Sequence, residues 1–370
     1  MAVQVGTRTS YDSTVGKKLN VEDAIFMISP FDVPLLGTYG AERRSVLGSG
    51  GTDTVKVEWL EDELVPGSDS LGATAVTADT YITVVNRTYF KTNDLIRIDD
   101  EYMRVTQYGT TADTLEVERS WGTPAAAQHS NAATVLILGM LPAEGSDPVS
   151  GINFQRTQPF NITQIFQDEV EVTRTEERAA KYGVASEAAY QIGKRLKENA
   201  IKMERNIILG TRNDDTSAKR RSFGGLDFFI VTGADSTTTT MAEAALLDQL
   251  QNSYDRGGSV DYLLVGGTQK RKISAFDASK IALARDDNVR GSVVDWYDSD
   301  FGRIYIVLDR WVPLRFAFGL ETQYISMEWM DRFFVEALAK TGDRQQWELI
   351  SEVTMKVKNE KAHFKFTALQ

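Results

Sequence analysis

The feature that most constrains this chain lies near its middle. Ala185, Ala189, Ile192, Leu196, Ala200, Met203 and Ile207 recur at steps of three and four, the spacing of one face of an α-helix. The periodic segment runs from about Thr175 to Leu209, which predicts about nine turns, or ~50 Å at 1.5 Å per residue. Glu, Lys and Arg fill the other faces, and Gly210 follows the last apolar turn, where a C-cap belongs. A rod of that length needs a surface to lie on, and the segments around it read as strands.

Thr52–Leu60 and Phe160–Glu171 both alternate apolar and polar residues, the period of a half-buried strand. Between them, 81–138 form an island of short strand signals at Tyr81–Val85, Asp94–Ile98, Glu101–Gln107, Thr114–Glu118 and Thr134–Leu138, with Asp99-Asp100 as a two-residue turn. Five strands in so short a stretch make a small β-barrel or sandwich, read as an inserted module. Residues 67–80, rich in Gly, Ala, Ser and Thr, read as loop. After the helix, Met241–Arg256 (with Thr240 as N-cap) and Gln269–Ala284 read as helices. Tyr262–Val265, Arg303–Leu308, Gln323–Met327 and Glu352–Phe366 read as strands. The fold class is therefore α+β, without an internal repeat. Residues 1–50 are mostly irregular, with a helical patch at Val21–Ile28 ended by Ser29-Pro30. A frayed terminus and an arm resting on a neighbouring subunit both fit them.

Composition excludes several function classes. There is no Cys, which removes disulfides, zinc ribbons and thiol catalysis. Asp plus Glu number 52 against 41 Lys plus Arg, a net charge of −11. An acidic surface repels phosphate, which counts against sequence-specific DNA binding. No apolar run reaches membrane-spanning length, and 1–20 lack a signal peptide's apolar core.

No catalytic constellation emerges. The only histidines are His129 and His363, and no Gly-x-Ser-x-Gly elbow accompanies them. Two lone histidines read as structural and make a histidine metal site a poor fit. Gly193-Lys194-Arg195 fails as a P-loop, because Ala188 stands where the first glycine is needed and Arg195 replaces Ser/Thr. Asp295, Asp298 and Asp300 with Gly302 have some calcium-ligand character, but no Glu completes the loop, and a solvated acidic turn fits them better. Lys219-Arg220-Arg221 reads as a charged loop, open to nucleic acid or to the acidic face of another subunit. Catalytic, cofactor-binding and metal-binding residues are accordingly read as none.

Val57-Glu58-Trp59-Leu60-Glu61-Asp62-Glu63-Leu64 and Ala143-Glu144-Gly145 are similar to the rising and returning parts of an extended loop. Asn161-Ile162-Thr163-Gln164-Ile165-Phe166 running into Val170–Thr175 resembles a strand entering a long helix, and Lys202–Gly210 with Phe223-Gly224-Gly225-Leu226 resembles that helix's end. Thr341–Arg344, Glu352-Val353-Thr354 and Asn359–His363 resemble closing strands. In this order the segments resemble the major capsid proteins of tailed bacteriophages with the HK97-type fold. Asp94–Val105 looks like a β unit inserted in various phage structural proteins.

The resemblance implies an N-terminal arm (1–50), an E-loop (51–77 and 140–158), an inserted β domain (78–139), a peripheral domain with a spine helix (159–225 and 331–370) and an axial domain (226–330). It implies a non-enzymatic subunit that assembles with itself into hexameric and pentameric capsomers of an icosahedral shell around double-stranded DNA, which it does not bind sequence-specifically. It further implies a scaffolding protein, a portal and a decoration protein as partners, assembly in the bacterial cytoplasm, and no cofactor. Contacts between subunits are expected at Phe31 and Leu35 in the arm and at Trp59, Leu60, Glu61 and Asp62 in the loop. Lys219, Arg220 and Arg221 are expected to face other subunits. Packing inside the chain is the alternative for Phe31, Leu35, Trp59 and Leu60. Two rival functions are a tail-tube or decoration subunit, which a nine-turn helix disfavours, and a cytosolic α+β enzyme using Asp295, Asp298 and Asp300.

Overall fold

The computed structural model describes residues 32–39, 44–45, 47–122, 125–147, 149–179, 181, 183–276, 281–283 and 294–370. Val21–Ile28 and Phe31 lie outside the described residues. The chain divides into two compact units, Leu60–Gln158 and the combination of Met1–Trp59 with Pro159–Gln370.

The larger unit is built on two sheets. One has four strands in the order Gln164–Thr173, Arg344–Val357, Ile325–Ala337, Gly48–Gly51, with the last pair parallel. Alternation puts Phe166, Val170 and Val172 on its buried side. Val170, Val172 and Leu349 meet Ala188, with Ile192 and Leu196 packed against them, so the long helix lies across this sheet. The other sheet has seven strands in the order Ala234–Asp235, Phe364–Phe366, Ala317–Leu320, Tyr262–Val265, Gly302–Leu308, Val294–Ser299, Ile281–Leu283. Its inner strand Ala317–Leu320 is buried at every residue, as a strand covered on both faces must be. One core runs from the end of the long helix (Met203, Ile207, Ile208) through Phe223 and Leu226 to residues of both sheets, including Met327, Val353, Leu264 and Phe318.

The long helix is shorter than its periodicity predicts. A five-residue turn, Arg174–Arg178, precedes an interruption containing Gly183 at φ +72°, and the main helix is Glu187–Leu209. Its 23 residues span about 35 Å. Local chemistry sets the new start. Ser186 is the N-cap, its Oγ accepting from the Ala189 N–H at 3.3 Å, while Glu177 accepts from Ser186 Oγ and from the Ala188 N–H. Gly210 holds the C-cap position with an extended backbone (φ −59°, ψ 144°), without the left-handed turn usual for a terminal glycine. A Cβ there would stand 2.4 Å from the Asn206 carbonyl oxygen.

Other boundaries also differ from expectation. Glu243–Asp255 starts after Ala242 without a side-chain cap, so Thr240 caps nothing. Gly267–Ile273 is helix, but Ile281–Leu283 is an edge strand paired with Val294–Ser299. The terminal strand pattern is two strands, Arg344–Val357 and Phe364–Phe366, parted by Asn359 at φ +47° and a short 3-10 turn.

The smaller unit carries a six-stranded antiparallel sheet in the order Ser68–Ser70, Thr134–Met140, Asp94–Ile98, Glu101–Tyr108, Thr114–Glu118, Tyr81–Thr83. Its outer strands meet through the Leu71–Val84 bridge, with the Val85 N–H donating to Ser70 O at 3.0 Å and the Gly72 N–H to Thr83 O at 2.9 Å. The sheet is thereby closed into a barrel. Leu71, Ile82, Phe90, Ile96, Ile98, Met103, Val105, Leu115, Val117 and Val135 fill it. The expected two-residue turn is present, with Asp99 in the left-handed region at φ +51°. Part of 67–80, read as loop, supplies the strand Ser68–Ser70, so the sheet starts at Ser68, ahead of position 78.

Candidate assembly surfaces

The arm-side and loop-side residues fall into two groups. Leu35 is 1% exposed and sits in the large core, and Trp59 is 8% exposed. The Trp59 ring lies 5.8 Å from that of Phe229, and the Trp59 backbone N–H donates to Pro159 O. These two side chains are therefore spent inside their own chain, because apolar area already removed from water has none left to give a neighbour. Leu60 is 65% exposed and Leu64 92%. Glu61 exchanges backbone hydrogen bonds with Thr157, and Asp62 pairs with Arg156 Nε at 3.3 Å on the surface of the smaller unit. Below them in sequence, Lys56–Glu58 pairs antiparallel with Phe160–Ile162. Arg212 reinforces that ladder: its guanidinium lies 3.9 Å from the Phe160 ring and donates to Phe160 O at 2.6 Å, and burial lowers its pKa.

Lys219 and Arg220 are exposed at the tip of the hairpin Asn213–Asp215/Arg220–Ser222. Asp215 builds the turn by accepting from the Ser217 and Ala218 N–H groups. Those bonds, with one from the Ser217 hydroxyl as the largest influence, hold its carboxyl below the usual range. Arg221 is half-buried and ion-paired with Glu352 of its own chain at 3.0 Å.

A surface that sequence reading missed is the outer edge of Ile325–Ala337. Gly48–Gly51 pairs with it only from Ser326 to Trp329. Among the described residues, nothing pairs along that side from Asp331 to Ala337. Phe334, Val335 and Leu338 are each about 40% exposed there. A free, apolar strand edge is a template for strand addition by another chain.

Two buried polar centres were also missed. In the barrel, Glu101 is 1% exposed and accepts from Arg119 Nε (3.0 Å) and Nη2 (2.7 Å) and from the Ser120 and Ala127 N–H groups. His129, also 1% exposed, bridges Glu101 (3.0 Å) and Asp99 (2.7 Å) through its two ring nitrogens. In the larger unit, Glu204 is fully buried on the apolar side of the long helix beside Met203 and Ile207, and accepts the Leu35 and Leu36 N–H groups at 2.8 and 3.2 Å. A glutamate falling on the apolar stripe, four residues after Ala200 and four before Ile208, was the available signal.

The remaining candidates stay chemically quiet. His363 is buried, its Nδ1 accepting from the Glu321 N–H. Asp298 lies on the strand Val294–Ser299, not in the acidic turn expected, and is ion-paired at 2.7 Å to Arg303, its partner on the adjacent strand. Among the described residues no group of three His, Cys, Asp or Glu side chains is placed to hold a metal ion, and no helix is long and apolar enough to cross a membrane.

A long helix across a mostly antiparallel sheet, with a second sheet of mixed strands and an inserted β barrel, is the shell-subunit architecture of the HK97-like type. Solved structures share it at low identity. The capsid of Myoviridae phage XM1 is 11% identical with a TM-score of 0.51, over 96% of this chain and 100% of that one. A structure from Microbacterium phage Oxtober96 is 10% identical with a TM-score of 0.52, over 98% and 99%. The capsid of the native GTA particle is 10% identical with a TM-score of 0.52, over 97% and 98%. The family model for the SU10 major capsid protein matches residues 4–370, and the chain belongs to that family. No curated protein matches the sequence. The chain is thus a non-enzymatic, shell-forming subunit of a phage virion.

Proposed function

We propose that this subunit forms hexameric and pentameric capsomers of an icosahedral shell that encloses double-stranded DNA without reading its sequence. Residues 1–50 act as an arm. The E-loop stem is formed by Lys56–Asp62 and Arg156–Ile162, and the barrel is the inserted domain. Pro159–Gly225 with 331–370 form the peripheral domain, and 226–330 the axial domain. Leu60, Glu61 and Asp62 meet a neighbouring copy, and Lys219 and Arg220 face an acidic surface on another. A scaffolding protein, a portal and a decoration protein complete the particle, which is assembled in the host cytoplasm. The net charge of −11 suits a wall that must not adhere to packed DNA.

The observation that supports this most is the strand edge at Asp331–Ala337, unpaired among the described residues, with Phe334 and Val335 exposed on it and Leu338 just beyond. Many weak contacts of this kind, repeated around a closed symmetry, give a stable shell. Electron microscopy of the chain expressed alone and with candidate scaffolding proteins tests it. Closed shells or capsomer rings are expected. Tubes would point to a tail subunit, and a persistent monomer would remove the reading.

A further inference from the structure

Glu204 and Asp309 form a buried carboxyl pair that the shell-forming role does not explain. Neither side chain is exposed to solvent. Asp309 uses Oδ1 to accept the Trp311 N–H at 2.8 Å. Its Oδ2 is buried with no hydrogen-bond partner among the described residues, and the Glu204 carboxyl is a near neighbour whose charge and that of Asp309 act on each other. Two carboxyl oxygens bond each other only with a proton between them. Glu204 in turn accepts the Leu35 N–H through Oε1 at 2.8 Å and the Leu36 N–H through Oε2 at 3.2 Å.

The same few side chains hold the rest of this segment. Trp311 Nε1 donates to the Asp32 carbonyl at 2.7 Å, Arg310 pairs with the Asp32 carboxylate at 3.7 Å, and the Arg205 guanidinium lies 4.1 Å over the Trp311 ring. The charged groups around the pair are therefore Asp32, Arg310 and Arg205. Among the described residues no cation forms an ion pair with Glu204 or Asp309, so nothing but the proton offsets their mutual repulsion.

We propose that Glu204 and Asp309 share one proton, and that this proton latches residues 32–36 onto the end of the long helix and is the point at which that segment is released. Losing it leaves two carboxylates side by side in a buried site, with Asp32 a third negative charge nearby. The arrangement relaxes when Leu35 and Leu36 withdraw and water enters.

The proton affinities agree with this geometry. Burial pushes Glu204 up to about 8; the Leu35 N–H opposes that, and the Asp309 and Asp32 charges add to it. Burial likewise takes Asp309 to about 6. A carboxyl raised in the folded state stabilises most below its unfolded pKa, and that contribution fades as pH climbs through the folded one. The latch is thus closed in mild acid and opens as pH rises toward about 8. It needs only this chain, whereas its use in assembly rests on the reading of 1–50 as an arm.

Hydrogen exchange of the full-length chain, read by mass spectrometry on peptides spanning 32–37, tests the latch. In the wild type the protection of Leu35 and Leu36, corrected for intrinsic rates, falls about tenfold or more across the alkaline limb. Glu204→Gln keeps a permanent N–H donor toward Asp309 and is expected to show pH-independent protection. Asp309→Asn removes the neighbouring charge and shifts the wild-type midpoint to lower pH. Identical profiles for wild type and Glu204→Gln would overturn the proposal. If Glu204→Gln does not fold, the wild type carries the test by infrared spectroscopy. A buried carboxylic-acid band must vanish over the interval in which exchange accelerates, and a band absent throughout, or unchanged across it, overturns the latch. Shell formation is scored separately: pH-independent protection in Glu204→Gln with normal shells sustains the latch and removes the arm's part in assembly.

Discussion

At Glu101, burial alone would push the carboxyl up, yet the bonds from Arg119, Ala127, His129 and Ser120 outweigh it and leave the group at about 2. The pair is conditional, because removing one partner strands the other in a dry site. Arg119→Ala is therefore expected to cost about 3–5 kcal/mol, seen as a lower melting temperature of the barrel by circular dichroism. His363 pulls the other way from Glu204. Burial lowers it from 6.5 to about 4, against the Lys358 backbone and the Glu360 charge, which raise it. A depressed histidine binds protons more readily when unfolded, so its contribution is full above about pH 6.5 and is lost as pH falls toward 4. Urea midpoints should drop across that window in the wild type, and a neutral His363→Gln variant should flatten this part of the slope. Neither centre was visible in the sequence beyond its residue types. Glu101 and His129, or Glu204 and Asp309, are brought together only by strand pairing and helix packing.

Among the elements, legibility followed periodicity. The strands at Asp94–Ile98, Glu101–Tyr108 and Thr114–Glu118 were readable because each presents one face to the barrel interior. The long helix starts later than its periodicity predicts because Ala185 and Ala189 continue the apolar spacing while Ser186, as N-cap, and Glu177 set the first helical residue at Glu187. Gln269–Ala284 was misread because tertiary pairing makes Ile281–Leu283 a strand. The double glycine after the helix has a packing reason. A Cβ on Gly225 would stand 2.5 Å from Asn206 O and 2.6 Å from Ile207 O, while its N–H donates to Gly210 O. Gly225→Ala is expected to destabilise by about 1–3 kcal/mol, measurable by chemical denaturation. The barrel has its own core, and Glu61 and Thr157 bring the ends of its unit together. Residues 60–158 expressed alone should therefore melt cooperatively, and a featureless thermal scan would refute this.

On the scale of the whole molecule, stability and assembly should separate. Val335→Lys places a charge on the free edge of Ile325–Ala337 at a site already about 40% exposed. The folded subunit should change by about 0.5 kcal/mol or less, while sedimentation velocity should show assembly stalled at small species. Normal shells from that variant would remove the edge from the assembly interface.

The closed barrel acquires a different meaning once copies are crowded together. In a shell, every module is held near others at a local concentration far above that of free protein. An open sheet under those conditions would find its own kind and fuse by exchanging strands. Joining Leu71 to Val84 leaves the barrel no template to offer. Crowding is then harmless to it, and strand addition is left to open edges of the larger unit such as that of Ile325–Ala337.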